Sequence, residues 1–303
     1  MSQFPVGSLA IVIVTYNRLE LLKGCLTSLI NQSYPLNQVI VIDNASTDGT
    51  TEFLSAFQGL PLHVISESEN SGGAGGFYKG AKIAFDQGFD WIFFMDDDVF
   101  PEKYCLERLM QFRLGSMIAV REDRQGQLVE RSALHYDLKN PLFPNPKRCS
   151  ISEFYSQRGL MPETVDVDNV AFEGFMIHRD IVQKVGFPEP KYFIFYDDVD
   201  YALRIRALGY KITAVRDAIL VRQLDFNQQA ALNSWKAYYM FRNLFHIHYK
   251  FGENFWVRNK PYFLALVTMS LAIVRGNIKQ AQAILNALQD FKSLEENSLK
   301  GKR

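Results

Sequence analysis

Three consecutive carboxylates, Asp96, Asp97 and Asp98, follow the apolar residues 91–95. Their charges repel one another and no basic residue adjoins them, so the cluster is costly unless something neutralises it. In an extended chain, Asp96 and Asp98 point to one side and Asp97 to the other. Two carboxylates on one side suit Mg²⁺ or Mn²⁺, which keeps coordination positions open for phosphate oxygens. The alternative is an acidic first turn of a helix that starts at Pro101.

A second group of carboxylates, Asp197, Asp198 and Asp200, lies in the segment IFYDDVDYALR. The pattern predicts a helix that starts here and ends near Gly209. The carboxylates could cap this helix and interact with its dipole. A carboxylate that faces a metal-bound diphosphate could instead act as a general base. Both interpretations stay open for Asp197 and Asp200.

A glycine-rich segment, NSGGAGGF, follows the third predicted strand. It does not match G-x-G-x-x-G because Tyr78 occupies the last position, and it lacks the Gly-Lys-Ser/Thr of a P-loop. The sequence therefore argues against a dinucleotide-dependent oxidoreductase and a P-loop nucleotidase. The glycines either allow a ligand to approach the backbone closely or form a flexible turn.

Apolar runs alternate with helical patterns along the first hundred residues. Buried strands are predicted for residues 9–15, 38–43, 61–66 and 90–95, and helices for 18–30, 50–57 and 77–88. This alternation predicts a parallel α/β sheet. Right-handed crossovers place the carboxyl ends of the strands at one edge, where ligands bind. The motifs TYNR, DNASTDG, ENSGGAGGF and MDDDV therefore converge at that edge.

The later chain is less regular in pattern. Residues 121–168 are rich in proline, asparagine and charge, which predicts irregular structure with at least one mobile loop. Residues 211–215 form a predicted strand, and helices are predicted from about Gln228 onward. His246 and His248 do not form a metal pair on a helix, because positions i and i+2 do not face each other.

Charge is balanced overall but not along the chain. The 303 residues include 33 basic and 33 acidic side chains, which argues against a nucleic-acid partner. Three scattered cysteines and an N-terminus without a basic region predict a cytoplasmic protein with reduced thiols and no signal peptide. Residues 226–289 hold seven basic residues, one acidic residue and many aromatic ones. Such a region predicts a membrane surface, or helices that pack on the catalytic domain and another subunit.

The motifs TYNR, IDNASTDGT, NSGGAGGF, MDDDV and FYDDVDYALRIRALGY, in this order, resemble the inverting glycosyltransferases of family 2, which have the GT-A fold. The resemblance covers about residues 9–222. The triple Asp and the later Asp-Asp pair are most similar to bacterial galactofuranosyltransferases, with rhamnosyltransferases as the rival. The resemblance implies a GT-A catalytic domain over residues 1–227 and a helical C-terminal region over 228–303.

The resemblance also implies site residues. It assigns Asp96 and Asp98 to a divalent metal, Mn²⁺ or Mg²⁺, and Asp198 to the general base, whose pKa the helix N-terminus is expected to lower. The donor-binding residues it implies are Thr15, Asn17, Arg18, Asp43, Asn44, Gly73, Gly75 and Asp97.

Two positions depart from the galactofuranosyltransferase pattern. Tyr196 replaces the usual Trp, and Arg222 or Gln223 stands where a metal-binding His is usual. Gln223 could offer an amide oxygen to the metal, or Arg222 could contact the diphosphate. His135 lies in the segment predicted to be irregular. It either contacts the substrate or is a surface residue.

The expected function is inverting transfer of a sugar from a nucleoside diphosphate to a hydroxyl of a bacterial surface glycan or lipid-linked glycan. Galactofuranose from UDP-galactofuranose is the first choice, and rhamnose from dTDP-rhamnose is the alternative. A non-catalytic sugar-nucleotide-binding protein remains open, although it would not need a base at Asp198. A pyrophosphorylase is disfavoured because TYNRLELL lacks its glycine-rich, basic signature. The expected location is the cytoplasm, at the inner face of the cell membrane, with a homo-oligomer as a further expectation.

Overall fold

Alternating strands and helices build the first part of the chain. A computed structural model describes residues 3–224 and 228–296. The first elements are β1 (Leu9–Thr15), α1 (Leu19–Ile30), β2 (Gln38–Asp43), α2 (Thr50–Ala56), β3 (Leu62–Ser66), α3 (Gly72–Asp86), β4 (Trp91–Asp96), β5 (Val99–Pro101) and α4 (Cys105–Phe112). Every residue of β1 is buried, as expected for a central strand covered by helices on both faces.

One nine-stranded sheet organises this part of the protein. The elements that follow along the chain are β6 (Ser116–Glu122), β7 (Ala133–Tyr136), β8 (Lys147–Ser150), α5 (Ile151–Phe154), β9 (Thr164–Val167), β10 (Phe175–His178), α6 (Arg179–Val185), α7 (Asp197–Ala207) and β11 (Ile212–Arg222). The strand order is β3-β2-β1-β4-β10-β6-β11-β5, with β9 paired to β11, and β7 and β8 form a separate hairpin. Strands β1 to β4 are parallel, which confirms the predicted α/β class.

The prediction of irregular structure for residues 121–168 is correct for the connections but misses the short elements between them. This segment contains the end of β6, the β7–β8 hairpin, α5 and β9. Its strands are four residues long and carry polar side chains, so they lack the apolar runs by which buried strands are recognised. Strand β9 is specified by antiparallel pairing with β11, a long-range contact that the local sequence does not reveal.

Two predicted helix starts are wrong. Residues Val99–Pro101 form β5, which pairs with β11, so the helix predicted at Pro101 begins only at Cys105. The helix predicted from Phe77 begins at Gly72, so the glycine-rich segment is its first turns rather than a flexible loop. A Cβ atom at Gly76 would lie 2.5 Å from the Val14 side chain, so glycine lets α3 pack closely on β1.

The C-terminal part of the described chain is helical, as predicted. It comprises α8 (Gln228–Leu232), α9 (Lys236–Phe251), α10 (Phe255–Val274), α11 (Ile278–Asp290) and α12 (Ser293–Glu296). A separate apolar core that includes Phe245, Leu264, Ile284 and Phe291 joins α9, α10 and α11. Within residues 3–224 and 228–296, no helix is both long and apolar enough to cross a membrane.

A buried ion pair joins this helical part to the sheet. Asp200 on α7 is fully buried and accepts hydrogen bonds from Lys250 Nζ of α9 at 2.6 Å and from Arg204 Nε at 2.7 Å. Two cations on one buried carboxylate compensate its desolvation and lower its pKa. Of the two interpretations of Asp200, the structure therefore favours a structural one.

Candidate active site

Arg18 neutralises part of the charge of the carboxylate triplet. The chain does not stay extended as expected, because β4 ends at Asp96 and a turn over Asp97 and Asp98 leads into β5. Arg18, between β1 and α1, places Nη1 3.0 Å from Asp97 Oδ1 and 3.2 Å from Asp98 Oδ2. Asp97 and Asp98 therefore share one cation, and the expected separation of Asp97 from the other two carboxylates does not hold.

Thr15 fixes the orientation of Asp97. Its hydroxyl donates to Asp97 Oδ2 at 2.7 Å, and both residues are buried. Burial raises the pKa of Asp97 to about 6, although Arg18 and the Thr15 hydroxyl oppose the shift. Thr15 was predicted to contact the sugar nucleotide, and in the structure its hydroxyl binds the carboxylate of Asp97.

Asp96 and Asp98 form a site with excess negative charge. Burial, followed by repulsion from Asp98 and Glu173, holds the pKa of Asp96 well above its usual range. Burial and Glu173 also raise the pKa of Asp98. In the part of the chain that the structure describes, no group of three or more His, Cys, Asp or Glu side chains is arranged to hold a metal. Arg18 and Arg222 offset only part of the charge of Asp96, Asp98 and Glu173. The two aspartates nevertheless fit Mg²⁺ or Mn²⁺, which keeps water and phosphate oxygens as its other ligands.

The residues predicted to bind the sugar nucleotide at the ends of β1 and β2 are held in place by hydrogen bonds. Asp43 is fully buried, and its two oxygens accept from the Ser46 amide at 3.0 Å and the Thr51 hydroxyl at 2.7 Å. Asn17 Oδ1 accepts from the Thr47 amide at 2.7 Å. These bonds hold the turn after β2 against the end of β1.

The start of α3 completes this edge. Asn44 Nδ2 donates to the carbonyl of Gly72 at 2.9 Å and so ties the end of β2 to the helix. A Cβ at Gly75 would meet Ser71, whereas a Cβ at Gly73 would meet nothing within 4 Å. Of the two glycines predicted to contact the donor, Gly73 is the one with open space beside it.

A pocket of about 600 Å³ is lined by Asp198 but not by the strand-end residues described above. Asp198 is at the N-terminus of α7, where its Oδ1 accepts from the Val199 amide at 2.7 Å. The pocket is also lined by Tyr196, Lys147, Glu173 and Arg222, among others. The sequence predicted Asp198 and Arg222 for this site but not Lys147 or Glu173.

The expected lowering of the pKa of Asp198 is wrong. Burial raises the pKa to about 6 against the opposing effects of the Val199 amide, Lys147 and Arg121, while Glu173 raises it further. Desolvation therefore outweighs the helix N-terminus. A carboxylate with a pKa near 6 is ionised at neutral pH and is a stronger base than an exposed Asp.

Glu173 connects the pocket to the strand-end carboxylates. Its Oε2 lies 2.7 Å from Arg121 Nη1 and 3.4 Å from Arg222 Nε, and its charge raises the pKa of Asp96 and Asp98. Arg121 in turn pairs with the buried Glu130 at 2.8 Å. The only sequence signal for Glu173 is a single charge in the apolar segment VAFEGF.

Asn243 supports the loop that leads to Asp198. Phe193, Phe195 and Tyr196 in this loop have positive φ angles, between 64° and 67°, which are strained for aromatic residues. The fully buried side-chain amide of Asn243 on α9 donates to three carbonyl groups of the loop, those of Tyr192, Ile194 and Phe195, at 2.8–3.1 Å. Its position in a helical segment gives no sequence signal for this role.

The remaining candidates lie apart from these contacts. His135 is exposed, 3.4 Å from Asp168, and does not line the pocket. Gln223 Oε1 already accepts from Arg124 at 3.0 Å. Asp197 is buried next to Asp198, and burial together with that charge holds its pKa well above the usual range. His246 and His248 are buried and bonded to backbone carbonyls, as expected for core residues.

The strand ends thus gather carboxylates, an arginine and an accessible glycine at the edge of the sheet where α/β proteins bind ligands. Residues 10–185, more than half of the chain, match the family described as Glycosyl transferase family 2. The chain therefore belongs to this family, as predicted.

Curated relatives of the chain are glycosyltransferases. Glycosyltransferase AglE of Haloferax volcanii is 28% identical over 220 residues, which cover 69% of this chain and 65% of AglE. Galactofuranosyltransferase GlfT1 of Mycolicibacterium smegmatis is 28% identical over 203 residues, 65% of each protein. The chain thus spans just under two thirds of the length of these relatives.

Solved structures confirm the GT-A fold. The mannosyltransferase PcManGT of Pyrobaculum calidifontis, determined with GDP-Man and Mn²⁺, superposes with a TM-score of 0.55 at 18% identity. The alignment covers 96% of this chain and 88% of PcManGT. Most of the C-terminal helical region is therefore part of the aligned structure.

Proposed function

We propose that the protein is an inverting glycosyltransferase that transfers a sugar from a nucleoside diphosphate to a hydroxyl of a glycan, with Asp198 as the general base. The observation that carries this proposal is the position of Asp198 in a pocket that Glu173 and Arg222 join to Asp96 and Asp98. Inversion by single displacement requires one base and no nucleophile, and a half-buried carboxylate with a pKa of about 6 suits that role.

The donor binds along the strand ends in this proposal. Asn17, Asp43 and Asn44 belong to the turn that receives the nucleotide, and Gly73 leaves the backbone of α3 open to it. Arg18 and Asp97 hold the carboxylate cluster in place. Arg222 lines the pocket, its charge lowers the pKa of Asp98, and it is suited to contact the diphosphate.

Asp96 and Asp98 are the proposed ligands of Mn²⁺ or Mg²⁺. The excess negative charge at these two residues supports the assignment, and PcManGT is a structural neighbour whose structure contains Mn²⁺. A bound divalent cation stabilises the negative charge that develops on the departing diphosphate.

UDP-galactofuranose is the proposed donor and a bacterial surface glycan or lipid-linked glycan the proposed acceptor. Similarity to GlfT1 and the triple-Asp motif support this choice over dTDP-rhamnose. Growth of such glycans on lipid carriers places the enzyme in the cytoplasm, at the inner face of the cell membrane.

A donor panel combined with two matched variants tests this proposal. UDP-galactofuranose, dTDP-rhamnose and other sugar nucleotides are incubated with Mn²⁺ and glycan acceptors, and nucleoside diphosphate release and product are measured by mass spectrometry. Asp198→Asn should lower kcat by about 10²–10⁴-fold, while its affinity for the sugar nucleotide stays nearly unchanged. Asp197→Asn should lower kcat by a smaller factor. Equal turnover in Asp198→Asn and wild type would contradict the assignment of the base, and turnover of dTDP-rhamnose alone would contradict the choice of sugar.

A further inference from the structure

Helix α10 is apolar on two opposite sides. Its inner side, which includes Leu264, Ala265 and Ala272, is buried against α9 and α11. Its outer side is exposed. We call Phe255, Trp256, Phe263, Leu266, Ile273 and Val274 the α10 outer face, and each has between 54% and 84% of its surface exposed.

The helical period places these six residues together. Their offsets from Phe255 are 0, 1, 8, 11, 18 and 19, which fall within a sector of about 100° at 3.6 residues per turn. The face runs from one end of the 20-residue helix to the other. Asn259 and the exposed Ser270 lie in the same sector, so the face is mostly but not wholly apolar. An exposed apolar surface that runs the length of a helix indicates an interaction site.

The charges on α10 and α11 up to residue 289 are of one sign, and the nearest carboxylate before them, Glu253, pairs with Lys139. Arg258 is exposed near the start of α10, Arg275 directly follows its end, and Lys279 is exposed on α11. No acidic residue occurs between Glu253 and Asp290. A positive rim around an apolar face is complementary to a membrane with anionic head groups.

The same charges disfavour a second copy of this chain. An antiparallel pair of α10 helices would bring Arg258 of one copy toward Arg275 of the other. No carboxylate on α10 or α11 before Asp290 could compensate this repulsion. The large aromatic side chains Phe255 and Trp256 at one end of the helix are of the kind that settles at the boundary between lipid and water.

The pocket hairpin is attached to the same helix. Lys260 Nζ donates to the carbonyls of Asn140 and Phe143 at 3.0 and 2.9 Å, and Asn254 Nδ2 donates to the carbonyl of Lys139 at 2.7 Å. These carbonyls belong to the connection between β7 and β8. The hairpin also lines the Asp198 pocket through Tyr136 and Lys147.

We propose that the α10 outer face binds an anionic lipid surface, with the helix lying in the plane of that surface. The binding holds the β7–β8 hairpin, and with it the pocket of Asp198, beside the membrane. The inference deepens the proposed function, on which its purpose rests, by naming the lipid surface and the residues that contact it. Lipid binding itself requires no turnover and is measured separately from it.

Vesicle sedimentation with the full chain tests this proposal. Vesicles of phosphatidylglycerol and phosphatidylcholine should bind the protein at low salt, and vesicles of phosphatidylcholine alone should bind it much less. The double change Phe263→Gln with Leu266→Gln should abolish the binding. Arg275→Gln with Lys279→Gln should weaken it by about thirtyfold, since each basic residue near an anionic surface contributes ~1 kcal/mol.

Matched controls separate this surface from general charge and apolarity. Lys82→Gln with Lys103→Gln removes two exposed cations elsewhere, and Ile30→Gln with Leu208→Gln removes two exposed apolar residues; both should bind like wild type. Thermal unfolding and transfer to a water-soluble acceptor should be unchanged in Phe263→Gln with Leu266→Gln. Absence of binding to anionic vesicles, or binding that survives this change, would overturn the proposal. Light scattering that shows a dimer which the same change dissociates would assign the face to self-association instead.

Discussion

Asn243 of α9 donates its side-chain amide to the carbonyl oxygen of Phe195 at 2.8 Å, three residues before the proposed base Asp198. The helical C-terminal region therefore supports the backbone of the catalytic pocket directly. A loop with strained backbone angles keeps its conformation only where contacts with its surroundings stabilise it. Asn243 provides such contacts through its hydrogen bonds to three carbonyl groups of the loop.

We predict that Asn243→Leu lowers kcat while donor affinity stays close to wild type. The loop loses the hydrogen bonds of this buried amide, although the Tyr192 carbonyl keeps Arg242 as a donor. This loss should also lower the free energy of unfolding by ~1–3 kcal/mol. Steady-state kinetics, donor calorimetry and thermal unfolding measure the three effects. Asn286→Leu on the exposed side of α11 is the control and should change none of them. A kcat within twofold of wild type in Asn243→Leu would show that the loop does not need this support.

Turnover should require a divalent cation bound at Asp96 and Asp98. EDTA should abolish activity and Mn²⁺ should restore it. Asp98→Asn should raise the Mn²⁺ dissociation constant by ~100-fold or more, because loss of an outer-sphere partner alone commonly costs 10–100-fold. Calorimetry with Mn²⁺ measures this without turnover, and Asp86→Asn, an exposed change on α3, is the control. Full activity after exhaustive EDTA treatment would rule out the metal.

The pH dependence of kcat should report the ionisation of Asp198. A general base acts only when deprotonated, so kcat should rise with pH up to about 6 and then level off. Lys147 lowers the pKa of Asp198, so Lys147→Met should move the inflection to higher pH.

Lys139→Met is the matched control for that shift. Lys139 lies near the same hairpin, but its ammonium is exposed and pairs with the exposed Glu253. Its removal should leave the inflection where it is in wild type. An inflection that does not move in Lys147→Met would indicate that kcat is limited by a group other than Asp198.

Adjacent glycines at the start of α3 should respond differently to alanine. Gly72 has a φ of 75°, and a Cβ there would lie 2.0 Å from the Phe193 carbonyl oxygen, so Gly72→Ala should destabilise the fold by more than ~1–3 kcal/mol. Gly73→Ala meets no protein atom within 4 Å and should fold normally. Its methyl group should instead weaken donor binding, by about tenfold, which is ~1.4 kcal/mol. Thermal unfolding and donor calorimetry separate the two effects, and normal donor binding by Gly73→Ala would place the donor elsewhere.

The sequence by itself determined the order of β1 to β4 and of the three helices between them, and the edge where the polar motifs meet. These features are local: a buried strand is a short apolar run, and parallel connection then dictates which strand ends share an edge. The triplet Asp96–Asp98 and the Asp-Asp pair at Asp197 could therefore be identified before any coordinates. The short polar strands β7, β8 and β9 could not, because they are specified by their partners.

Only the tertiary structure decided how the charges of the site are balanced. Arg18 reaches Asp97 from 79 positions away, and Glu173 lies between two carboxylate groups that the sequence treated as separate. The helix N-terminus, a local effect, suggested a lowered pKa for Asp198, yet burial raises it to about 6. Desolvation depends on everything packed around a side chain, and most of that is contributed by residues distant in the sequence.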